Sequence, residues 1–332
     1  MKSVILPAYN KNIIRAMLSL KVEEVERPKP KNEEVLIKVH ASPVNPSDIA
    51  FIQGSYNIVK SLPAIPGFEA SGIIEDAAPD HEHLIGKKVS CFVQDDKGGT
   101  WSNYVVANIQ DIILLKDDMD MDQAACFTVN PLTAYGMMEI ALQYNASAII
   151  QNASGGQVAS FIRKMATISG IEVIDIVRKK ETAEQLSSEG AKNVLVDTDD
   201  DFLNRLADIS KKLLPTVAFD AVGGTLGAHM FNALSNDSEL VVYGGLSGKQ
   251  LSELNVMDII FENKIISGFN LIDWKAEIGI EEFNKAAEEL QDLFIDGTLS
   301  TKISSSTSLE NIVKGLRGYI ANMSGGKLLI KP

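Results

Sequence analysis

The sequence predicts an α/β protein in which a doubly wound parallel-sheet domain stands beside a β-rich, barrel-like domain. Three observations predict it. Between Ala148 and Phe269 short apolar runs alternate with helical segments, and there are as many runs as a doubly wound dinucleotide fold has strands. The first run leads into Ser154-Gly155-Gly156-Gln157-Val158-Ala159, a small-residue turn of the G-x-G-x-x-G/A kind that opens a helix. From Lys2 to Leu115 the pattern is strand-like instead, punctuated by Pro28, Pro30, Pro43, Pro46, Pro63 and Pro66, and this is the mark of a β-rich domain.

Bulk composition is consistent with two cores. The chain has 332 residues, 45% of them hydrophobic and 23% charged, long enough for two ordinary globular domains. Its formal charge of -13 leaves no basic surface for a nucleic-acid backbone or an anionic membrane. Cys91 and Cys126 are the only cysteines, so neither a disulfide framework nor a four-cysteine metal lobe can form, and a reducing compartment is expected. Met1 to Tyr9 carries no apolar leader core or Arg-rich presequence, and no apolar run approaches membrane-spanning length, so a cytoplasmic protein is expected.

Within the β-rich part, Glu34 to Val39 and Lys87 to Val93 read as strands. After Asp120 the period changes, with helices predicted from Asp122 to Phe127 and from Pro131 to Leu142. Strands follow at Ala148–Asn152, Val173–Val177, Asn193–Val196, Val217–Ala221, Leu240–Tyr243 and Ile265–Phe269. The tail returns to strand character at Lys327-Leu328-Leu329-Ile330 and is expected to fold back onto the N-terminal domain. The division is therefore 1–120 completed by 271–332, with 121–270 as the nucleotide-binding domain.

The phosphate turn has Ser154 in the first glycine place, Gly156 in the second and Ala159 in the third. Small residues there let backbone N–H groups of Gly155, Gly156, Gln157 and Val158 approach a pyrophosphate and let the helix pack close on its strand. The second strand ends Val177-Arg178-Lys179-Lys180. A guanidinium at that tip pairs with a 2′-phosphate, whereas a carboxylate would bind a ribose 2′-hydroxyl. NADPH is therefore the expected cofactor, held by Arg178 and Lys179. Asp175 is the competing residue, but it lies inside the strand, and the basic run also has a plain reading as a solvated helix start. Tyr243 and Gly244 end the fifth strand, and Phe269 and Leu271 follow the sixth, all on the edge that faces a bound nicotinamide. His81 and His83 lie in an acidic loop with no third metal ligand in view.

Several ordered fragments carry a resemblance. Val44-Asn45-Pro46-Ser47-Asp48-Ile49, Ile52-Gln53-Gly54-Ser55-Tyr56, Pro66-Gly67-Phe68-Glu69, Gly99-Thr100-Trp101, Thr128-Val129-Asn130-Pro131 and Ile150-Gln151-Asn152-Ala153-Ser154 resemble the zinc-free branch of the medium-chain dehydrogenase/reductase superfamily, which holds quinone reductases and 2-enoyl thioester reductases. The resemblance implies a Rossmann domain and a GroES-like barrel domain, with cofactor lying between them. Zinc-dependent members place a Cys near Asn45 and a His where Phe68 stands. A catalytic zinc needs three protein ligands, and Glu69 alone does not supply them, so no metal is expected.

By the same resemblance Tyr56 is the proton donor to the substrate α-carbon, a role that suits a phenol neutral at physiological pH. Asn45 is expected to bond either the nicotinamide ribose or the substrate, and Asp48 to cap the following helix. Thr128 is expected at the nicotinamide and Trp101 at the acyl pocket. Related proteins dimerise along the sixth strand, so a homodimer through Lys264 to Phe269 is expected. The function these readings imply is hydride transfer from NADPH to a small-molecule substrate, an activated alkene or a quinone. The alternative is an NADPH-binding sensor or structural protein on a dehydrogenase scaffold.

Overall fold

The computed structural model describes residues 1–96 and 98–332, and the chain forms two compact units. One is Met1–Pro131 with Ile280–Pro332, the other Leu132–Gly279. The first begins with β1 (Lys2–Ile5), α1 (Ile13–Ser19), β2 (Lys21–Glu24) and the long β3 (Glu34–Pro43). After these come α2 (Pro46–Gln53), β4 (Glu69–Ala77), β5 (Lys88–Phe92), β6 (Tyr104–Asn108), β7 (Ile112–Leu114) and the short α3 (Met121–Ala124). Side chains alternate across a strand, and Val35, Ile37 and Val39 of β3 share one core with Ile74, Val89 and Val105. α2 starts on Asn45 with Pro46 at its first position and stops at Gly54 in the left-handed region, φ 68°, as its residues dictate.

The second unit opens with most of α4 (Asn130–Gln143) and then runs β8 (Ala148–Gln151), α5 (Gln157–Ile168), β9 (Glu172–Val177), α6 (Lys180–Ser188), β10 (Asn193–Val196) and α7 (Phe202–Leu213). β11 (Val217–Asp220), α8 (Gly224–Ala233), β12 (Glu239–Val242), α9 (Val256–Phe261) and β13 (Ile265–Gly268) complete its sheet. The strand order is β10-β9-β8-β11-β12-β13, every pairing parallel. This is the Rossmann order, in which the winding direction reverses between β8 and β11 and all carboxyl ends share one edge. β8 is buried along its whole length, as a central parallel strand covered by helices on both faces must be.

α10 (Leu271–Ile295) is interrupted at Gly279, φ 80°, where the chain returns to the first unit. β14 (Ile303–Thr307), α11 (Ile312–Ala321) and β15 (Lys327–Ile330) follow. β15 pairs antiparallel with β3, giving the order β14-β15-β3-β4-β5-β7 with β6 on β3. Both unit boundaries lie further along the chain than 120 and 271. Ser71 Oγ donates to the Met121 carbonyl at 2.7 Å and Val129 N–H to Glu69 Oε1 at 2.8 Å, which holds residues 121–129 on β4. Trp274 bonds Glu139 at 3.1 Å and packs against Phe269, which keeps 271–279 with the nucleotide-binding unit.

Candidate active site

At the end of β8, Asn152 donates to Asp220 at 2.6 Å and accepts from Ala221 N–H at 2.8 Å. Two central strands are thereby joined across the point where the winding reverses. Ser154 is buried, its hydroxyl donating to the Gln151 carbonyl and accepting from Ile176 N–H, both at 3.0 Å. The first glycine place thus holds a serine because its hydroxyl ties the turn to β9. Gly156 precedes α5 without any side-chain cap. A helix leaves its first-turn N–H groups without intrahelical acceptors and carries a partial positive charge there. A Cβ on Gly155 would come within 2.8 Å of Thr182, and one on Gly156 within 3.0 Å of the Ala153 carbonyl, so the cradle is kept bare. Ala159 is fully buried against the sheet.

Asp175 cannot serve a ribose. Its carboxylate receives Gln151 Nε2 at 2.7 Å and both prongs of the Arg163 guanidinium. Arg178 and Lys179 stand exposed just past β9, whereas Lys180 turns to Asp199 at 3.1 Å. All three bases are exposed, Lys180 with 73% of its side chain accessible. Burial pushes the Asp197 carboxyl up, with Arg178 opposing that shift. Asp197 also lines a cavity of about 300 Å³ with Asp199, Phe202, Thr225 and His229, among others.

At the ends of β12 and β13 the predicted residues diverge. Gly244 passes so near β11 that a Cβ would meet the Ala221 carbonyl at 2.8 Å, and only glycine fits there. The half-buried Tyr243 donates its N–H to the Asp220 carbonyl at 2.9 Å, and burial pushes its phenol up. Phe269 turns its ring onto Trp274, 6.1 Å between centroids, and onto Gly136, where no Cβ could fit. Its side chain is a packing element. Leu271 begins α10 beside it.

In the first unit, Tyr56 lies three positions past α2, half-buried, its ring 5.6 Å from that of Phe68 and inclined at 39°. Its hydroxyl accepts a long bond from Gln94 Nε2, 3.4 Å. Burial pushes the phenol up, so it keeps its proton at neutral pH. Sequence reasoning missed Lys60. Its ammonium sits 5.5 Å from the Phe68 ring and 6.0 Å from the Phe51 ring and donates to the Gly98 carbonyl. Burial lowers it from the ordinary 10.5 to about 8, although Asp95, Asp96 and Asp48 oppose the shift. Ser61 bonds both oxygens of Asp96, at 2.7 and 2.8 Å, so the loop that carries Tyr56 is pinned to the loop after β5.

Two predicted residues sit differently from expectation. Asn45 is 2% exposed. Its Nδ2 donates to Glu69 Oε2 at 2.9 Å, its Oδ1 accepts from the Lys327 ammonium, and its N–H donates to Asp48 at 2.7 Å. Both ends of its amide are thus engaged inside the buried cluster. Asp48 does cap α2, as expected. Trp101 has no exposed surface and packs in the core with Phe51, Phe68 and Leu328, because Gly67 leaves room for its indole. It is a core anchor, as a glycine-flanked aromatic often is, and it lines no open pocket. Thr128 is also buried, its hydroxyl 2.6 Å from that of Ser90.

Glu69 is at the centre of this buried cluster. One oxygen receives Asn45, the other Val129 N–H at 2.8 Å. Burial raises Glu69 and takes Asp48 to about 7, and the Lys327 charge pulls both back. The donor set does not fit a metal. Among the described residues no three His, Cys, Asp or Glu side chains converge as ligands, and the Glu69 oxygens already face an amide and a backbone N–H.

Comparison with known proteins agrees with this architecture. Residues 31–117 match the alcohol dehydrogenase GroES-like domain and residues 158–292 the zinc-binding dehydrogenase domain. The mitochondrial enoyl-[acyl-carrier-protein] reductase of Xenopus tropicalis is 31% identical over 315 residues, 90% of this chain and 87% of the relative. A Mesorhizobium loti structure assigned as an NADPH:quinone reductase is 31% identical with a TM-score of 0.93, covering 100% of this chain and 98% of its own. A mycobacterial structure complexed with NADPH shares the fold, with a TM-score of 0.84 at 20% identity over the full length of both chains.

Proposed function

We infer that this chain, which belongs to the quinone and enoyl reductase branch of the medium-chain dehydrogenase/reductase superfamily, is an NADPH-dependent, zinc-independent reductase of activated alkenes or quinones. The observation that carries this reading is the state of the β9 end. The Asp175 carboxylate, the competitor for a ribose hydroxyl on β9 itself, is closed off by Arg163, while Arg178 and Lys179 are exposed. The bare turn at Gly156 and the uncapped start of α5 fit a pyrophosphate. NADPH, when bound, supplies a hydride.

On the protein side, Tyr56 serves as acid. A thioester or ketone carbonyl polarises its alkene so that the β-carbon is electrophilic, and the α-carbon then needs a proton. A phenol held above its ordinary pKa by burial stays protonated until it delivers that proton; the negative charge then passes from the enolate to the tyrosinate, which takes its proton back from solvent. Thr128 and the backbone of Tyr243, Gly244 and Phe269 remain the proposed nicotinamide contacts. For Asn45, the bonds described above favour a supporting role instead.

The assembly we propose is a homodimer. β13 is an edge strand, and an unprotected edge invites pairing. Next to it, α9 exposes Ile260 at 64% and Phe261 at 76%, and Phe261→Glu should convert a dimer to a monomer by light scattering. The buried, unpaired Cys91 and Cys126 suit a reducing compartment such as the cytoplasm. Among the described residues no helix is long and apolar enough to cross a membrane.

The test is NADPH and NADH consumption, followed by absorbance, across quinones, enones and enoyl thioesters. Turnover with NADPH over NADH is expected. Tight NADPH binding with no turnover on any acceptor would point to a sensor on the same scaffold.

A further inference from the structure

Lys327 opens β15 and is 4% exposed, buried with two carboxylates and an amide. Its ammonium donates to Asn45 Oδ1, across 282 positions of sequence. An asparagine amide can point either way, and a carboxylate accepts only from its nitrogen end. Because the cation takes the oxygen, the nitrogen must face Glu69, as found at 2.9 Å. Glu69 then uses its other oxygen for Val129 N–H at 2.8 Å. A single path thus joins β15 to the start of α2 and to the Thr128–Val129 segment, all within the first unit. α2 transmits the first of these constraints directly. Its end is tied down by Gly54 N–H to the Phe51 carbonyl at 2.8 Å and Ser55 N–H to the Ala50 carbonyl at 2.9 Å, and Tyr56 is the next residue.

We propose that Lys327 is a tethered internal cation for Glu69, and that through Asn45 and Glu69 it is the positioning residue for both Tyr56 and Thr128. The assignment of Tyr56 and Thr128 rests on the functional reading above; the identity of the cation does not. A buried carboxylate with no counter-charge takes up a proton instead of remaining ionised. Removing the ammonium therefore leaves a folded chain in which Glu69 is protonated, the Asn45 amide is free to turn, and the two segments lose their common reference.

The test uses the full chain as Lys327→Ala and Lys327→Met, with n-propylammonium chloride as probe and 1-propanol and sodium chloride as controls. For Lys327→Ala, propylammonium alone should raise the melting temperature towards that of the wild type and restore turnover. In Lys327→Met the side chain fills the space, so no rescue is expected. There kcat should fall roughly tenfold or more while the KM for NADPH changes little, the signature of an interaction that orients the reacting groups. Propylammonium acting no differently from propanol overturns the internal cation. Wild-type kcat in Lys327→Met overturns the positioning role. If the wild type reduces no acceptor at all, the functional reading fails, and the melting-temperature rescue still decides the cation by itself.

Discussion

Arg163 clasps Asp175 through two bonds, Nε to Oδ2 and Nη2 to Oδ1, each 2.8 Å, and brings the same Nη2 to the Ser154 carbonyl at 2.8 Å. α5, β9 and the phosphate turn thus meet at one guanidinium. Asp175 is only 1% exposed and Arg163 17%, so solvent screens the pair little.

Arg163→Ala should therefore destabilise strongly. It strands a buried carboxylate, which costs about 3–5 kcal/mol, a fall in melting temperature of order 10 °C for a chain of this kind. Arg163→Lys keeps the charge but loses the fork and should fall between. A melting curve for Arg163→Ala that overlays the wild type would show that the clasp contributes nothing.

The exposed bases past β9 should discriminate between cofactors. Replacing Arg178 or Lys179 singly by Ala removes a charged hydrogen bond worth about 1.5–3 kcal/mol, so the Kd for NADPH should rise by about one to two orders of magnitude for each. The Kd for NADH, read by the same fluorescence titration, should hardly move. Equal weakening of both would mean that these residues do not see a 2′-phosphate.

Tyr56→Phe should separate the two acceptor classes. A general acid contributes about 10²–10⁴-fold, and enoyl thioester reduction should drop in that range. A quinone takes its proton on oxygen, which solvent water can supply, so quinone reduction should persist. Indifference of both reactions removes Tyr56 from the chemistry.

Lys60 gives the protein a pH dependence of definite sign. Its folded pKa, about 8, lies below the ordinary 10.5, so between those values the unfolded chain binds more protons than the folded one. Stability must then rise with pH across that window, while below pH 8 the cost of the buried charge is constant. Lys60→Met removes the term. The stability difference between wild type and variant, from denaturant titrations at pH 7.5 and pH 9.5, should shift in favour of the wild type at the higher pH. A difference that stays level across the window contradicts it.

The sheet was legible because central parallel strands are buried on both faces. Ala148 to Gln151 reads as an unbroken apolar stretch closed by one polar residue, and its turn is announced by Gly155 and Gly156. The tip of β9 was legible for a similar reason, since Arg178 and Lys179 differ sharply from the apolar strand they follow. What sequence conceals is the partner that consumes a polar group. Asn45 has the same letters whether its amide meets a ribose or a lysine 282 positions away. Trp101 reads as a loop aromatic because its flanking residues are small, and the residue that makes room for its indole is Gly67, more than thirty positions away. Lys60 and Lys327 give no local signal of burial, since a lysine in a strand or loop is ordinarily solvated. The boundary near 120 was misplaced because residues 121–129 switch to helix while remaining bonded to β4.

The discontinuity of the first unit gives the protein an order of assembly. Leu132–Gly279 is one unbroken stretch, available for folding as soon as the ribosome has released it, and domains fold as units during synthesis. β3 and β4 have emerged by then, but β15 has not. Until residues 327–330 arrive, Asp48 and Glu69 have no Lys327 ammonium to face, and β3 has no β15 beside it. The first unit therefore lacks β14 and β15 until its second segment has been made, whereas the nucleotide-binding unit depends on no later residue.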